Sequence, residues 1–316
     1  MHRIRTLVLA GMLPVLSSCA RPETTIGVSM ALFDDNFLTV LRNSMQEYAG
    51  TLQGVRLQVE DAQNDVAKQL SQIQNFISQG VDAIIVSAVD TDASPAMTRL
   101  AAEAGIPIVY VNRQPADLEK LPSNAAFVGS KEIESGTLAT TEVCRLLKEA
   151  KKTPARIVVM MGELSNQAAR ERTRAVHNVI ATPECSFMRV VEEQTANWQR
   201  TQGQDLMSNW ISAGTRFDAV VSNNDEMAIG AIQALKAAGY DMGMMIFSGV
   251  DGTQDALAAM QAGDLDVTVF QDAAAQGKGA VDAALKLARG DSVEKTVWIP
   301  FELVTPATLD RYLARN

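Results

Sequence analysis

Histidine and cysteine are scarce in this chain, at two and three among 316 residues. Beyond position 20 only His177, Cys144 and Cys185 remain. Their spacing matches no zinc or iron–sulfur pattern. The sequence has no glycine-rich phosphate loop and no nucleophile-elbow or triad signature. No apolar stretch reaches the ~20 residues that a membrane-spanning helix requires. Low-complexity linkers and short sequence repeats are missing too. These absences argue against phosphate, metal and nucleophilic chemistry and leave binding as the simpler reading.

Positive charge is also in short supply. Lys and Arg number 28 against 37 Asp and Glu, a net charge of −9. Nucleic-acid binding depends on Lys and Arg neutralising phosphates, so an acidic chain is a poor candidate for it. The hydrophobic fraction of 47% is that of a soluble globular protein. The length allows two domains of ordinary size.

The N-terminus departs from the rest. MHRIRTLVLAGMLPVLSSCA has a basic start, an apolar run from Leu7 to Leu16, and then small residues. Residues 1–19 read as a secretory signal. Leu16-Ser17-Ser18-Cys19 is similar to a bacterial lipobox, with Cys19 as the lipidated residue. Cleavage after Ala20 at Ser18-Cys19-Ala20 is the competing expectation. Loss of Arg3 and Arg5 with the signal takes the net charge from −9 to −11. Cys144 sits in a helical pattern and Cys185 in the turn-like Thr-Pro-Glu-Cys. An oxidising compartment permits a disulfide. Without a distance between them, a free and partly buried pair is the expectation.

What is present is an alternation of strand and helix. Strand-like runs fall near 26–30, 55–60, 83–87, 107–111 and 126–128. A second series follows near 156–161, 187–191, 218–222, 244–248 and 266–270, with a final strand region near 296–304. Helical patterns separate them, and Gly80 stands at the expected stop of one. This rhythm predicts an α/β fold of two doubly wound parallel-sheet lobes. Ligands in such sheets bind outside the carboxyl ends of the strands, and a cleft between two lobes is a favoured site.

The strand ends carry polar groups in nearly every case. Asp34, Asp35 and Asn36 follow the first strand, flanked by Phe33 and Phe37. A helix cap explains the acids. A sugar site explains the combination, because ring CH faces pack on aromatics and hydroxyls pair with carboxylates. Asn112 and Arg113 follow the fourth strand. Arg170, Arg172 and Arg174 lie within two helical turns, so at most one should point into a cleft. Trp198 opens a helix, either as a packing residue or as a stacking wall. Asn224 and Asp225, then Asp251, then Gln271, follow the later strands. Asp225 is expected to cap its helix while Asn224 turns its amide to the cleft. His177 falls mid-helix and reads as structural.

The segments IGVSMALFDDNFLTVLRNSMQ, YVNRQP, AARERTRA, TANWQ, NNDEMAIGAIQAL, GVDGTQDAL and TVFQDAAAQGKGA stand in this order. Together they resemble the type I periplasmic sugar-binding proteins of ABC transporters, in the ribose/galactose-binding family close to inositol- and rhizopine-binding members. The resemblance implies two lobes joined by a three-segment hinge. These would be residues 24–129 with 272–301, and 130–271 with 302–316. It implies a ligand set of Asp35, Phe37, Asn112, Arg113, Arg172, Trp198, Asn224, Asp251 and Gln271. Phe37 and Trp198 would be the stacking walls. It implies a periplasmic or envelope location, a sugar or cyclitol ligand, an ABC permease as partner, and no cofactor, metal or nucleic acid. A chemoreceptor or sensor kinase is a further partner of this kind, and membrane contact would come only through a lipid anchor. Ala31, Asn166 and Ala168 depart from the glucose/galactose pattern, and its calcium loop is absent. Arg113 favours a pentose, a cyclitol or an amino-cyclitol. A repressor on the same lobes would need a helix-turn-helix headpiece where the signal stands. A sugar-active enzyme would have only Asp35 with Asp251 as an acid/base pair.

Overall fold

Short apolar runs, many rich in Val and Ile, become the strands of two parallel sheets. The computed structural model describes residues 23–315. The signal and Cys19 lie outside the described residues. The first series is β1 (Thr24–Met30), α1 (Asn36–Gly50), β2 (Val55–Asp61), α2 (Val66–Gln79), β3 (Ala83–Val86), α3 (Ser94–Glu103), β4 (Ile108–Val111) and β5 (Ala125–Gly129). The second is α4 (Glu132–Glu149), β6 (Ala155–Met161), α5 (Gln167–Ile180), β7 (Met188–Thr195), α6 (Arg200–Ser212), β8 (Ala219–Ser222), α7 (Asp225–Ala237), β9 (Ile246–Ser248), α8 (Gln254–Gln261) and β10 (Thr268–Phe270). Then come α9 (Ala273–Ala288), β11 (Thr296–Trp298) and β12 (Glu302–Val304).

One sheet runs β11-β5-β4-β3-β1-β2, parallel throughout. The other runs β7-β6-β8-β9, also parallel. Bridges from Ser248 to Val267 and from Asp251 to Phe270 continue it toward β10, on which β12 lies antiparallel. Every residue of β3, β4 and β8 is buried, as expected for strands covered on both faces. The chain passes between the sheets three times: after β5, after β10, and between β11 and β12.

Local chemistry sets the helix ends. Asp35 caps α1 by accepting from the Leu38 N–H at 2.8 Å. Asp65 caps α2 in the same way, and Gly80 closes it at φ 69°. Helix α1 buries Phe37, Leu38, Leu41 and Met45 on one face. Helices α6 and α7 meet through reciprocal glycines. A Cβ on Gly230 would lie 2.0 Å from the Arg200 carbonyl, and one on Gly203 would lie 2.6 Å from that of Met227.

One expectation fails here. Cys144 on α4 and Cys185 in the turn before β7 form a disulfide, with Cα atoms 5.8 Å apart. Both pack in the cluster that includes Ala155, Ile157 and Met188, so the fold supplies the proximity that the sequence could not. The final strand region divides in two. Pro300 has no N–H to give a ladder, and the segments on either side join different sheets.

Candidate functional site

The carboxyl ends of the strands in both sheets converge on one pocket. Its non-atom space measures about 360 Å³, with open solvent included. Asp35, Phe37, Asn112, Arg113, Arg172, Trp198, Asn224, Asp251 and Gln271 all line it. The structure therefore brings together all nine residues named from the sequence. The first four follow strands of the six-stranded sheet, and the other five belong to elements of the second. A second compartment shares Asp35, Arg113 and Trp198 with the pocket, and Asn64, Glu163, Arg200 and Glu226 help to line it.

Arg172 is the centre of the second wall. It is 4% exposed on α5, while Arg170 and Arg174 stay at the surface beside Asp92 and Glu171. Its Nε donates to Glu132 Oε2 at 2.7 Å, its Nη1 to the Asn223 carbonyl at 2.7 Å, and its Nη2 to Gln271 Oε1 at 3.3 Å. Asp251 Oδ1 stands 3.6 Å from Nη1. Burial opposes the guanidinium charge, but Glu132 and Asp251 outweigh it and hold its pKa above the usual value. The planar fork thereby fixes groups from four separate segments.

Asp251 lies in a strained backbone, at φ 126°. Its N–H donates to the Val269 carbonyl and its own carbonyl accepts from Gln271 N–H, which sets the residue as an extension of the sheet. Burial pushes its carboxyl well above the ordinary range. Arg172 opposes the rise, and Asp225, Asp35 and Glu132 add to it.

The opposite wall is built from Asp35, Asn112 and Arg113. Burial raises the Asp35 carboxyl, against its hydrogen bond from Leu38 and the charge of Arg113. Arg113 donates through Nη1 to the carbonyls of Ala88 and Val89 at 2.9 and 3.2 Å. Burial lowers its pKa, and Glu163 and Asp35 work the other way. Asn112, at φ 65°, reaches Gln276 Oε1 at 3.3 Å, and Gln276 in turn donates to Ser130 Oγ.

Two aromatic rings complete the lining. Phe37 comes from the first turn of α1. Trp198, at φ 66°, lays its ring on Gly162, where a Cβ would fall 2.1 Å from the indole. Its Nε1 is buried and has no hydrogen-bond partner among the described residues. Phe33 does not join them; Arg42 covers its ring at 4.3 Å.

Asn224, not Asp225, takes the capping role, and it still lines the pocket. Asn224 caps α7, accepting from Met227 N–H at 3.1 Å, and its Nδ2 donates to the Trp198 carbonyl at 3.0 Å. Its amide thus sets the pocket wall rather than pointing freely into the cleft. Asp225 accepts from the N–H groups of Gly252 and Thr253 and from the Thr268 hydroxyl. It joins α7 to the Asp251 loop and to β10, two connections that are distant in sequence.

Cross-cleft contacts hold the two halves together at the rim. Asn36 donates to Glu226 at 3.0 Å and Asn64 to Glu163 at 2.6 Å. Thr91 bonds Ser165 and Gln167, and Asp92 pairs with Arg170. His177 pairs with Glu193 at 2.7 Å and does not line the pocket. No group of three or more His, Cys, Asp or Glu among the described residues is placed to hold a metal ion.

Sequence reasoning did not select Leu38, Glu132, Asn166 or Ala168, which also line the pocket. Asn166 and Ala168 stand out only as departures from the galactose pattern. Glu132 carries no signal beyond being an acid in the first turn of a helix, where acids are common.

Two parallel-sheet units with a polar pocket at their facing strand ends define a bilobal solute-binding architecture. Residues 26–292 match the periplasmic binding protein domain, and the chain belongs to that family. It is 63% identical over 302 residues to a Rhizobium meliloti protein provisionally named as rhizopine-binding, covering 96% of each chain. It is 31% identical to the ribose import binding protein of Bacillus subtilis, over 90% of this chain and 88% of that one. Among solved structures it resembles an ABC transporter solute-binding protein from Bacillus halodurans C-125, with bound myo-inositol. That likeness has a TM-score of 0.87 at 42% identity, covering 93% of this chain and 99% of the other.

Proposed function

We propose that this protein captures a sugar or cyclitol in the pocket between its two halves and delivers it to an ABC permease. The observation that carries this reading is the convergence of Asp35, Asn112 and Arg113 from one side with Arg172, Asp251 and Gln271 from the other. A ring of hydroxyls both donates and accepts, and it needs acids, amides and guanidinium forks around its edge. Its CH faces would pack on Phe37 and Trp198. The myo-inositol bound to the Bacillus halodurans protein and the ribose of the Bacillus subtilis relative's name support this ligand class.

Binding proceeds by closure about the three crossings, with residues 24–129 and 272–301 moving against 130–271 and 302–316. A ligand that touches both sides only when they are together stabilises the closed population. The relatives named above are binding proteins, which supports action by binding rather than by catalysis. The Cys144–Cys185 disulfide supports a location outside the reducing cytosol. The signal over residues 1–19 and a lipid on Cys19 fit the same address. A melting-temperature screen of pentoses, hexoses and inositols tests the reading. At least one polyol should raise the midpoint in a concentration-dependent way. A flat response across the whole panel would contradict it.

A further inference from the structure

Glu132 is the one pocket acid that no motif marks. It opens α4, just after the chain first crosses between the sheets. Its side chain is 1% exposed. Oε2 accepts from Arg172 Nε at 2.7 Å, while Oε1 is buried and has no hydrogen-bond partner among the described residues. An ionised carboxylate offers about four acceptor sites. Leaving a buried oxygen unserved costs on the order of 1–3 kcal/mol.

A purely structural role explains only half of this side chain. Fixing Arg172 uses Oε2. With Oε2 committed, Oε1 is the oxygen left for the pocket that Glu132 lines beside Asp251 and Arg172. Trp198 Nε1, buried in the same pocket lining, is a donor in the same situation. One unserved acceptor and one unserved donor suit a ring that carries hydroxyls on its edge.

Resting on the sugar-or-cyclitol reading, we propose that Glu132 is a ligand-binding and specificity-determining residue. Its Oε1 accepts a hydrogen bond from one ring hydroxyl, or from an amine at the same ring position, while its Oε2 holds Arg172. Ligands with a donor there are admitted, and ring positions that are deoxygenated or O-alkylated at that point are discriminated against. The neutral Glu132→Gln variant keeps an acceptor for Arg172 Nε and replaces the acceptor facing the ligand with an amide N–H.

Titration calorimetry of the wild type and Glu132→Gln tests this, with myo-inositol, D-ribose and the monodeoxy analogues of each as probes. The variant should bind the better parent polyol at least about tenfold more weakly. For the one analogue that lacks the hydroxyl facing Glu132, that loss should shrink to under about twofold. General damage to the site multiplies every dissociation constant alike, so it cancels in this comparison. The same factor for every analogue, or no loss at all, would overturn the assignment. Absence of wild-type binding to any probe would sink the sugar-or-cyclitol reading first, and this assignment with it.

Discussion

Arg172 and Glu132 form an ion pair at 2.7 Å in which both side chains are at least 95% buried. Through Arg172, the start of α4 is tied to the end of β8, to the Asp251 loop and to Gln271 after β10. The wall of the pocket is in this sense one unit.

Arg172→Ala should therefore damage both binding and folding. It leaves Glu132 and Asp251 as buried acids without their cation, which costs about 3–5 kcal/mol of stability. Affinity for the ligand should fall by more than ~2 kcal/mol. Urea unfolding and calorimetry measure the two separately. Arg172→Lys should retain part of the stability and little of the affinity, because an ammonium cannot reproduce the planar fork.

Asp225 makes stability depend on pH. Burial pushes its carboxyl up to about 7, although hydrogen bonds from Thr268, Thr253 and Gly252 oppose the rise. A carboxyl with a folded pKa above its unfolded value of ~3.9 contributes stability that is fully present below that value. The contribution is lost as pH rises through about 7. Asp225→Asn removes this titration. The stability of the wild type minus that of the variant should fall between pH 4 and 7 and level off above. A difference independent of pH would refute the assignment.

The disulfide should be measurable as a stability term. Cys144 and Cys185 are 41 residues apart, and closing a loop of that size is worth about 4 kcal/mol in the chain-entropy model. Cys144→Ser with Cys185→Ser should lower the midpoint by several degrees. Thiol titration of the unfolded, unreduced mature protein should find neither cysteine free.

Gly162 and Trp198 make a prediction about the aromatic wall. A Cβ at position 162 would overlap the indole, so Gly162→Ala must displace the ring. Affinity should drop by about tenfold. Trp198→Ala should do at least as much. Equal binding in both variants would remove Trp198 from the ligand's surroundings.

Much of this was legible before any coordinates, for identifiable reasons. The two series of strands show in the runs around Ile84 and Val158, since strands buried on both faces leave near-continuous apolar signals. Eight of the nine pocket residues lie close after a strand or at the start of a helix, and Arg172, inside α5, is legible through the resemblance carried by AARERTRA. What escaped depends on distance across the fold. Cys144 and Cys185 meet only because α4 and the turn before β7 pack together. Asn224 and Asp225 are both good caps, and only the position of Gly252 and Thr268 decides which one is drawn inward. Glu132 joins the site through α4, a helix start like any other in the sequence.

Calorimetric titration of a polyol into the wild type, Asp35→Ala and Asp251→Ala tests whether one ligand is held from both sides. A single site per chain is expected in the wild type. Each variant should lose more than ~2 kcal/mol of affinity, although the two residues belong to opposite walls. Full affinity in either variant, or no heat of binding with any pentose, hexose or inositol, would contradict the proposed site.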